Sequence, residues 1–335
     1  MFSPLATLDA ARLLMLRVGV RHVPGARAVV SSRDARVVLY AAVGVTLGCA
    51  CSVLAPASVF LWGPVLLGVP HLLSDLRYLV FAPAARARLR WPDIVVGALL
   101  LAAMVSPVPA VGFAAVLASA LLTRRAATAP TLRFALATLL GATAMWVSWR
   151  APHAAAYALV HAHNLVALFL FGVMFRYRRT ALSLIAGTMF LALAILGGAF
   201  DNLLMTSSMS LQSLFPEVLP PNLVEKWGGT VCARVVVVFV FLQGVHYTVW
   251  LRLIPEAARA RAGMRGFASS AAALKTDMGA VALWATLGLS TALLAYGLHA
   301  GAYAARGAYL QLAGFHAYLE LAVLARWWCL EDVSR

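Results

Sequence analysis

Apolar runs long enough to cross the hydrocarbon of a bilayer recur along this whole chain, and arginine-rich stretches interrupt every second connection between them. Ten runs qualify: 36–55, 58–81, 92–107, 108–123, 132–149, 152–175, 180–200, 230–253, 276–298 and 302–326. The third and fourth are short and meet at Ser106-Pro107-Val108-Pro109, where a tight hairpin or a re-entrant pair both fit. The chain is 63% hydrophobic, against about 45–50% for soluble domains, and the excess extends over its full length. The expected fold class is therefore all-α, a polytopic transmembrane helix bundle of about ten spans over residues 36–326. No linker is long enough to divide it into two domains.

Loop charge predicts the orientation independently. The N-terminal segment carries Arg21, Arg27, Arg33 and Arg36. Later basic connections carry Arg86, Arg88 and Arg90; Arg124, Arg125 and Arg133; Arg176, Arg178 and Arg179; and Arg252, Arg259, Arg261, Arg265 and Lys275. The connections between these are short or poor in cations, and the longest, 201–229, holds Asp201, Glu217 and Glu225. Basic loops face the cytoplasm, so ten spans place both termini there, N-in and C-in. The net charge of +15 is accounted for by these loops, and no nucleic-acid partner is expected.

Segment 1–35 does not read as a signal peptide, because Arg12, Arg17 and Arg21 interrupt its apolar residues. Leu5, Leu8, Leu13 and Leu16 recur at roughly helical spacing, which fits a helix lying on the cytoplasmic membrane surface. Residues 327–335 form a cytoplasmic tail. The four cysteines lie in or beside apolar runs and read as small buried hydrophobes.

Against this apolar background, four spans carry histidines among other polar residues: GVPHLLSD around His71, HAHN around His161 and His163, QGVHY around His246 and FHAYLE around His316. Ionisable groups in hydrocarbon are costly and mark functional sites by default. On the expected topology these four spans run in the same sense. His71, His161, His246 and His316 then fall roughly 14–24 Å from the outer ends, at about 1.5 Å per residue. They share one slab at or cytoplasmic of the midplane.

Helical spacing of about 100° per residue assigns faces. His71, Asp75 and Tyr78 share one; His153, Tyr157, His161 and Asn164 share another; Gln243, His246, Tyr247 and Trp250 cluster; Tyr309, His316 and Glu320 align. His163 points nearly opposite His161, so one of the two, not both, is expected to join the centre. Two spans carry a histidine with a carboxylate four residues later, one turn along the same face. Such an acid ligates a metal or orients a histidine. Either pair alone reads equally as a structural ion pair or a proton relay. The predicted metal ligands are His71, His161 or His163, His246 and His316. Asp75 and Glu320 act with them, and Tyr78 and Tyr247 line the cavity.

The stretch Gly68-Val69-Pro70-His71-Leu72-Leu73-Ser74-Asp75 resembles the G-x-P-H-x-x-x-D motif of the Brp/Blh family of bacterial membrane proteins. The family cleaves β-carotene to retinal with histidine-bound iron. The resemblance implies that His71 ligates iron, with Asp75 as its neighbouring carboxylate. It covers about eight residues. The family pattern continues with a histidine after the aspartate, where this chain has Leu76, and it has a histidine on its first span, where 36–55 has none.

The expected function is a membrane-embedded, histidine-ligated non-haem iron oxygenase acting on a lipophilic substrate, with carotenoid cleavage implied by the resemblance. Its partners would be dioxygen, that substrate and the lipid bilayer of a bacterial inner membrane. The cofactor is expected to be Fe²⁺, with another transition metal or haem as the other options. A proton- or metal-ion-coupled transporter and a haem-binding electron carrier use the same residue types and stay open at this point.

Overall fold

The computed structural model describes residues 4–81, 91–106, 108–124, 131–174, 177–204, 211–259 and 263–330. Arg86, Arg88, Arg90, Pro107, Arg125, Arg176, Arg261 and residues 331–335 of the expected tail lie outside the described residues. Among those described there is no strand. The chain is an all-α helical bundle and a membrane protein. Among the described residues, eight helices are long and apolar enough to cross a bilayer, and Trp91–Val105 and Pro109–Thr123 are shorter apolar helices.

The helices are α1 (Pro4–His22), α2 (Ala26–Ser31), α3 (Arg33–Leu54), α4 (Pro56–Asp75), α5 (Trp91–Val105), α6 (Pro109–Arg124), α7 (Thr131–Arg150), α8 (Pro152–Met174), α9 (Arg178–Leu196), α10 (Pro221–Thr248), α11 (Phe267–Ala300), α12 (Ala302–Leu312) and α13 (His316–Cys329). α4 runs on through a π-helical turn, Leu76–Phe81, and α10 through another, Val249–Leu253. A 3₁₀ turn, Ala313–Phe315, joins α12 to α13. Four alternate spans, α4, α6, α8 and α10, open on proline. Its fixed φ suits a first helical turn, and the N–H it lacks has no intrahelical partner there.

Two expected starts fall at bends. Residues 221–227 and 267–278 are already helical, but Gly228 (φ 75°) and Gly279 (φ 85°) break the two helices. A positive φ of this kind is open to glycine and strained for other residues. The apolar spans therefore begin just beyond these bends.

α10 is apolar on every side, and Val236, Val237, Val240, Phe241 and Val245 are all buried. Such a helix belongs at the centre of a bundle. It packs against α3, α4, α8 and α9, while α13 packs against α6, α7 and α8. Glycines let these helices come close. A Cβ on Gly68 would stand 2.2 Å from the Tyr309 ring, and one on Gly44 would stand 2.2 Å from Thr248. Close approach over small residues drives helix association where no water is displaced.

Within the expected 201–229 connection, residues 211–219 fold back over the bundle. Leu211, Leu214, Phe215 and Val218 are buried, and the Pro216 carbonyl accepts from the Tyr157 hydroxyl at 2.9 Å.

α1 has no buried residue, and its Asp9 caps α11. The Asp9 carboxylate accepts from the backbone N–H of Phe267 at 2.6 Å and of Ala268 at 3.1 Å. These two donors, with Arg12 adding charge, hold the Asp9 carboxyl below the usual carboxylate range. A depressed folded pKa stabilises at pH above the ordinary carboxylate value and ceases to do so as pH falls through the folded one. Hydrogen exchange should therefore show the first α11 amides protected at neutral pH and exposed in acid. In Asp9→Ala they should exchange fast at both. Equal protection in wild type and variant would remove the capping role.

Candidate metal centre

The polar groups of α4, α8, α10 and α13 meet inside the bundle. His71 Nε2 lies 2.8 Å from His246 Nε2. The His316 ring is centred 5.0 Å from that of His71, and the His163 ring 5.2 Å from His246 and 5.1 Å from His316. Asp75 Oδ2 stands 3.4 Å from His71 Nε2, and Glu320 Oε1 3.6 Å from His246 Nε2. Two overlapping triads result, His71–His246–His316 and His71–Asp75–Glu320. Within each, the ligand atoms all lie within 4.8 Å of one another.

Local structure sets the ring nitrogens. His163 Nδ1 lies 3.2 Å from the Leu159 carbonyl and 3.1 Å from that of Val160, one turn back on α8. His316 Nδ1 lies 2.6 Å from the Ala313 carbonyl in the 3₁₀ turn. A carbonyl only accepts, so each Nδ1 carries the proton and each Nε2 keeps its lone pair. This second-shell arrangement is the one that orients metal-binding histidines.

The carboxylates point the same way. Glu320 and Asp75 are fully buried. Neither Asp75 oxygen has a hydrogen-bond partner, and neither has Glu320 Oε2. Glu320 Oε1 accepts from the Trp250 indole N–H at 2.7 Å. Bare buried carboxylates are costly, and one divalent cation would offset both charges among neutral imidazoles. The 2.8 Å gap between His71 and His246 is close to the roughly 3.0 Å separating two nitrogens at right angles on one ion, each about 2.1 Å from it. The donor set, imidazole nitrogen with carboxylate oxygen, suits several transition metals, zinc, iron, copper and nickel among them. The residues present therefore fit a metal ion.

Each π-turn follows one of these site segments immediately. Such turns recur at functional sites. The Trp250 carbonyl, in the α10 π-turn, accepts from Ser74 Oγ at 2.6 Å and ties α10 to α4 beside Asp75. The α4 π-turn also corrects one expectation. Regular spacing put Tyr78 on the face of His71 and Asp75, but i→i+5 bonding from Leu76 changes the register. Tyr78 instead sits under the Arg77 guanidinium, 5.1 Å from its ring centroid, and Arg77 pairs with Asp277. Tyr247 is at the centre, its ring 5.2 Å from His71.

Of the two α8 histidines, of which one was expected at the centre, His161 is the one that faces away. Its Nε2 lies 3.0 Å from the Val218 carbonyl, and its ring meets Phe239, so it faces the folded-back 211–219 segment. His163 takes the inner position. Helical spacing puts Tyr309 on the His316 face and gives it no role. Its hydroxyl lies 3.4 Å from His71 Nδ1, and its ring fits only because residue 68 is glycine. Ser74 carried no signal, because its partner is a backbone carbonyl 176 residues away.

The fold and this cluster define a class of molecule: a helical membrane protein with a buried histidine–carboxylate centre. No family model, curated protein or solved structure matches the chain.

Proposed function

We propose that the protein is a membrane-embedded iron enzyme that oxygenates a lipophilic substrate. The observation that carries this reading is the convergence of three imidazoles on two buried carboxylates with bare oxygens, inside a bundle of apolar helices. His71, His246 and His316 would hold the ion, with Asp75 and Glu320 completing its shell and His163 beside them. When bound there, iron supplies the redox chemistry by which dioxygen reacts with unactivated carbon. The protein's own part is to orient and to exclude water. Trp250 fixes Glu320, the Ala313 carbonyl fixes His316, and the Leu159 and Val160 carbonyls fix His163. Tyr247 and Tyr309 wall the His71 side.

Burial favours this reading over an open channel. His71, His246, Asp75 and Glu320 are at most 1% exposed, whereas a channel is wetted from both ends. The Brp/Blh-like stretch at Gly68–Asp75 extends the proposal to a polyene of the β-carotene type. The alternating basic loops extend it to an N-in, C-in bundle in a bacterial inner membrane.

Elemental analysis and an absorption spectrum of detergent-purified protein test the proposal. About one iron per chain without a Soret band is expected. His163→Ala should weaken iron retention about 10–100-fold, while His161→Ala should leave it unchanged. Iron-free protein that folds normally would remove the enzyme reading, and a Soret band would replace it with a haem protein.

A further inference from the structure

The two sides of α1 differ. Asp9, Arg12, Leu16 and Gly19 are half-buried, and with them the helix rests on the start of α11. Leu14, Arg17, Val18 and Arg21 follow at i, i+3, i+4 and i+7 and form the opposite side, where all four are exposed. We infer that this outer side docks on acidic lipid headgroups. Arg17 and Arg21, with Arg27 of α2, take the phosphates, and Leu14 and Val18 enter the acyl chains beneath them.

Three observations carry the inference. The first is depth. α1 caps α11 at Phe267 and Ala268, whereas the apolar span of α11 begins beyond the bend at Gly279. The stretch between holds Lys275 and Asp277, and Asp277 pairs with Arg77. Such charges mark the end of a span, so α1 is held at headgroup level.

The second is charge. Asp9 and Asp34 are the only acids in residues 4–35, and both are committed within the protein. Asp9 accepts from the α11 amides and lies 3.6 Å from Arg12, and Asp34 accepts from the Tyr177 hydroxyl at 2.7 Å. Arg17, Arg21 and Arg27 are exposed and have no acidic partner among the described residues. Their neutralising charge has to come from outside the chain.

The third is the mixture of side chains on one face. Leu14 is 63% exposed and Val18 52%, with Met15 beside them at 74%. A soluble polyanion would satisfy the arginines and leave these apolar groups in water. A zwitterionic surface would take the apolar groups and leave the arginines with little net charge to meet. An acidic bilayer surface serves both, because an arginine stem lies along apolar neighbours while its fork reaches a phosphate.

The test follows deuterium uptake of residues 4–22 in the full-length protein. The protein is placed in nanodiscs of phosphatidylcholine alone, or of phosphatidylcholine with phosphatidylglycerol. Uptake should be about tenfold slower or more in the acidic discs, because three cations act together near the surface, and high salt should reverse the slowing. Arg17→Gln, Arg21→Gln and Arg27→Gln combined should bring uptake in acidic discs back to the phosphatidylcholine rate. Leu14→Gln with Val18→Gln keeps every charge and should still lose most of the slowing. All five positions are exposed, so these variants keep the fold. Equal uptake in the two lipids, or slowing that survives the triple substitution, would overturn the inference. Equal slowing by soluble polyphosphate in phosphatidylcholine discs would overturn it in favour of a soluble polyanion. Slowing in detergent that grows with protein concentration would overturn it in favour of a second copy of the chain. None of these outcomes depends on iron.

Discussion

His71→Ala is expected to leave the protein folded in the membrane and to cost it nearly all of its iron. His71 is the one side chain common to both ligand triads. Its Nε2 is the atom nearest to both His246 and Asp75. A ligand that only orients another typically accounts for about 10–100-fold in affinity, and loss of a shared direct ligand should exceed that. His246→Ala and His316→Ala should follow closely. Asp75→Asn should cost less, because the amide keeps one carbonyl oxygen. Iron per folded chain, taken from elemental analysis of the monodisperse fraction, separates loss of metal from loss of fold. Wild-type iron in His71→Ala and His316→Ala would sink the oxygenase proposal. Poor yield without any iron in the wild type would identify the cluster as a structural polar network.

The second large effect lies away from the centre. Arg36 is fully buried at the start of α3. Its Nε and Nη2 each lie 2.9 Å from Glu256 Oε1, and its Nη1 donates to the carbonyls of Val29 at 3.0 Å and Val30 at 2.9 Å. Glu256 Oε2 meets Arg259 at 2.8 Å. One guanidinium thus joins α2, α3 and the short helix Ile254–Ala257 that follows the α10 π-turn. Arg36→Ala leaves two carbonyls and half a carboxylate without donors in a dry interior, a change of about 3–5 kcal/mol. Arg36→Lys should recover little, since a point charge does not reproduce the fork. The double substitution Arg36→Met with Glu256→Met should recover part, because it removes both charges together but leaves the Val29 and Val30 carbonyls and Arg259 without these partners. Heat-challenge midpoints in detergent measure all three. An Arg36→Ala midpoint equal to wild type, or a double variant worse than the single one, would show that the pair does not act as described.

Much of this molecule is legible in its sequence, and the failures have definite physical causes. Apolar runs report spans directly, because bilayer thickness dictates their length. The centre was visible as polar residues on four such runs, where hydrocarbon tolerates few. Faces were less legible. Spacing shows that His161 and His163 point apart, but not which of them points inward. That depends on the 211–219 segment folding over α8, which no local pattern announces. Tyr78 was misplaced because its face was projected through a turn that is π and not α. Arg36 looked like any other loop arginine, since its acidic partner lies 220 residues away. Trp250 fell on the right face, but the Glu320 carboxylate it serves belongs to another helix.

The helices that supply the centre are spread from one end of the chain to the other, and this gives its assembly a timetable. Asp75 leaves the ribosome about 245 residues before Glu320. At roughly 5–20 residues per second the interval is about 12–50 s. For that time α4 holds a carboxylate and an imidazole in the translocation machinery or the lipid with none of their α13 partners yet made. The ligand set closes only when the last helix arrives. On the proposed reading a metal would load only after translation, and the half-built bundle, not the finished one, is the form that an insertase or chaperone has to shelter.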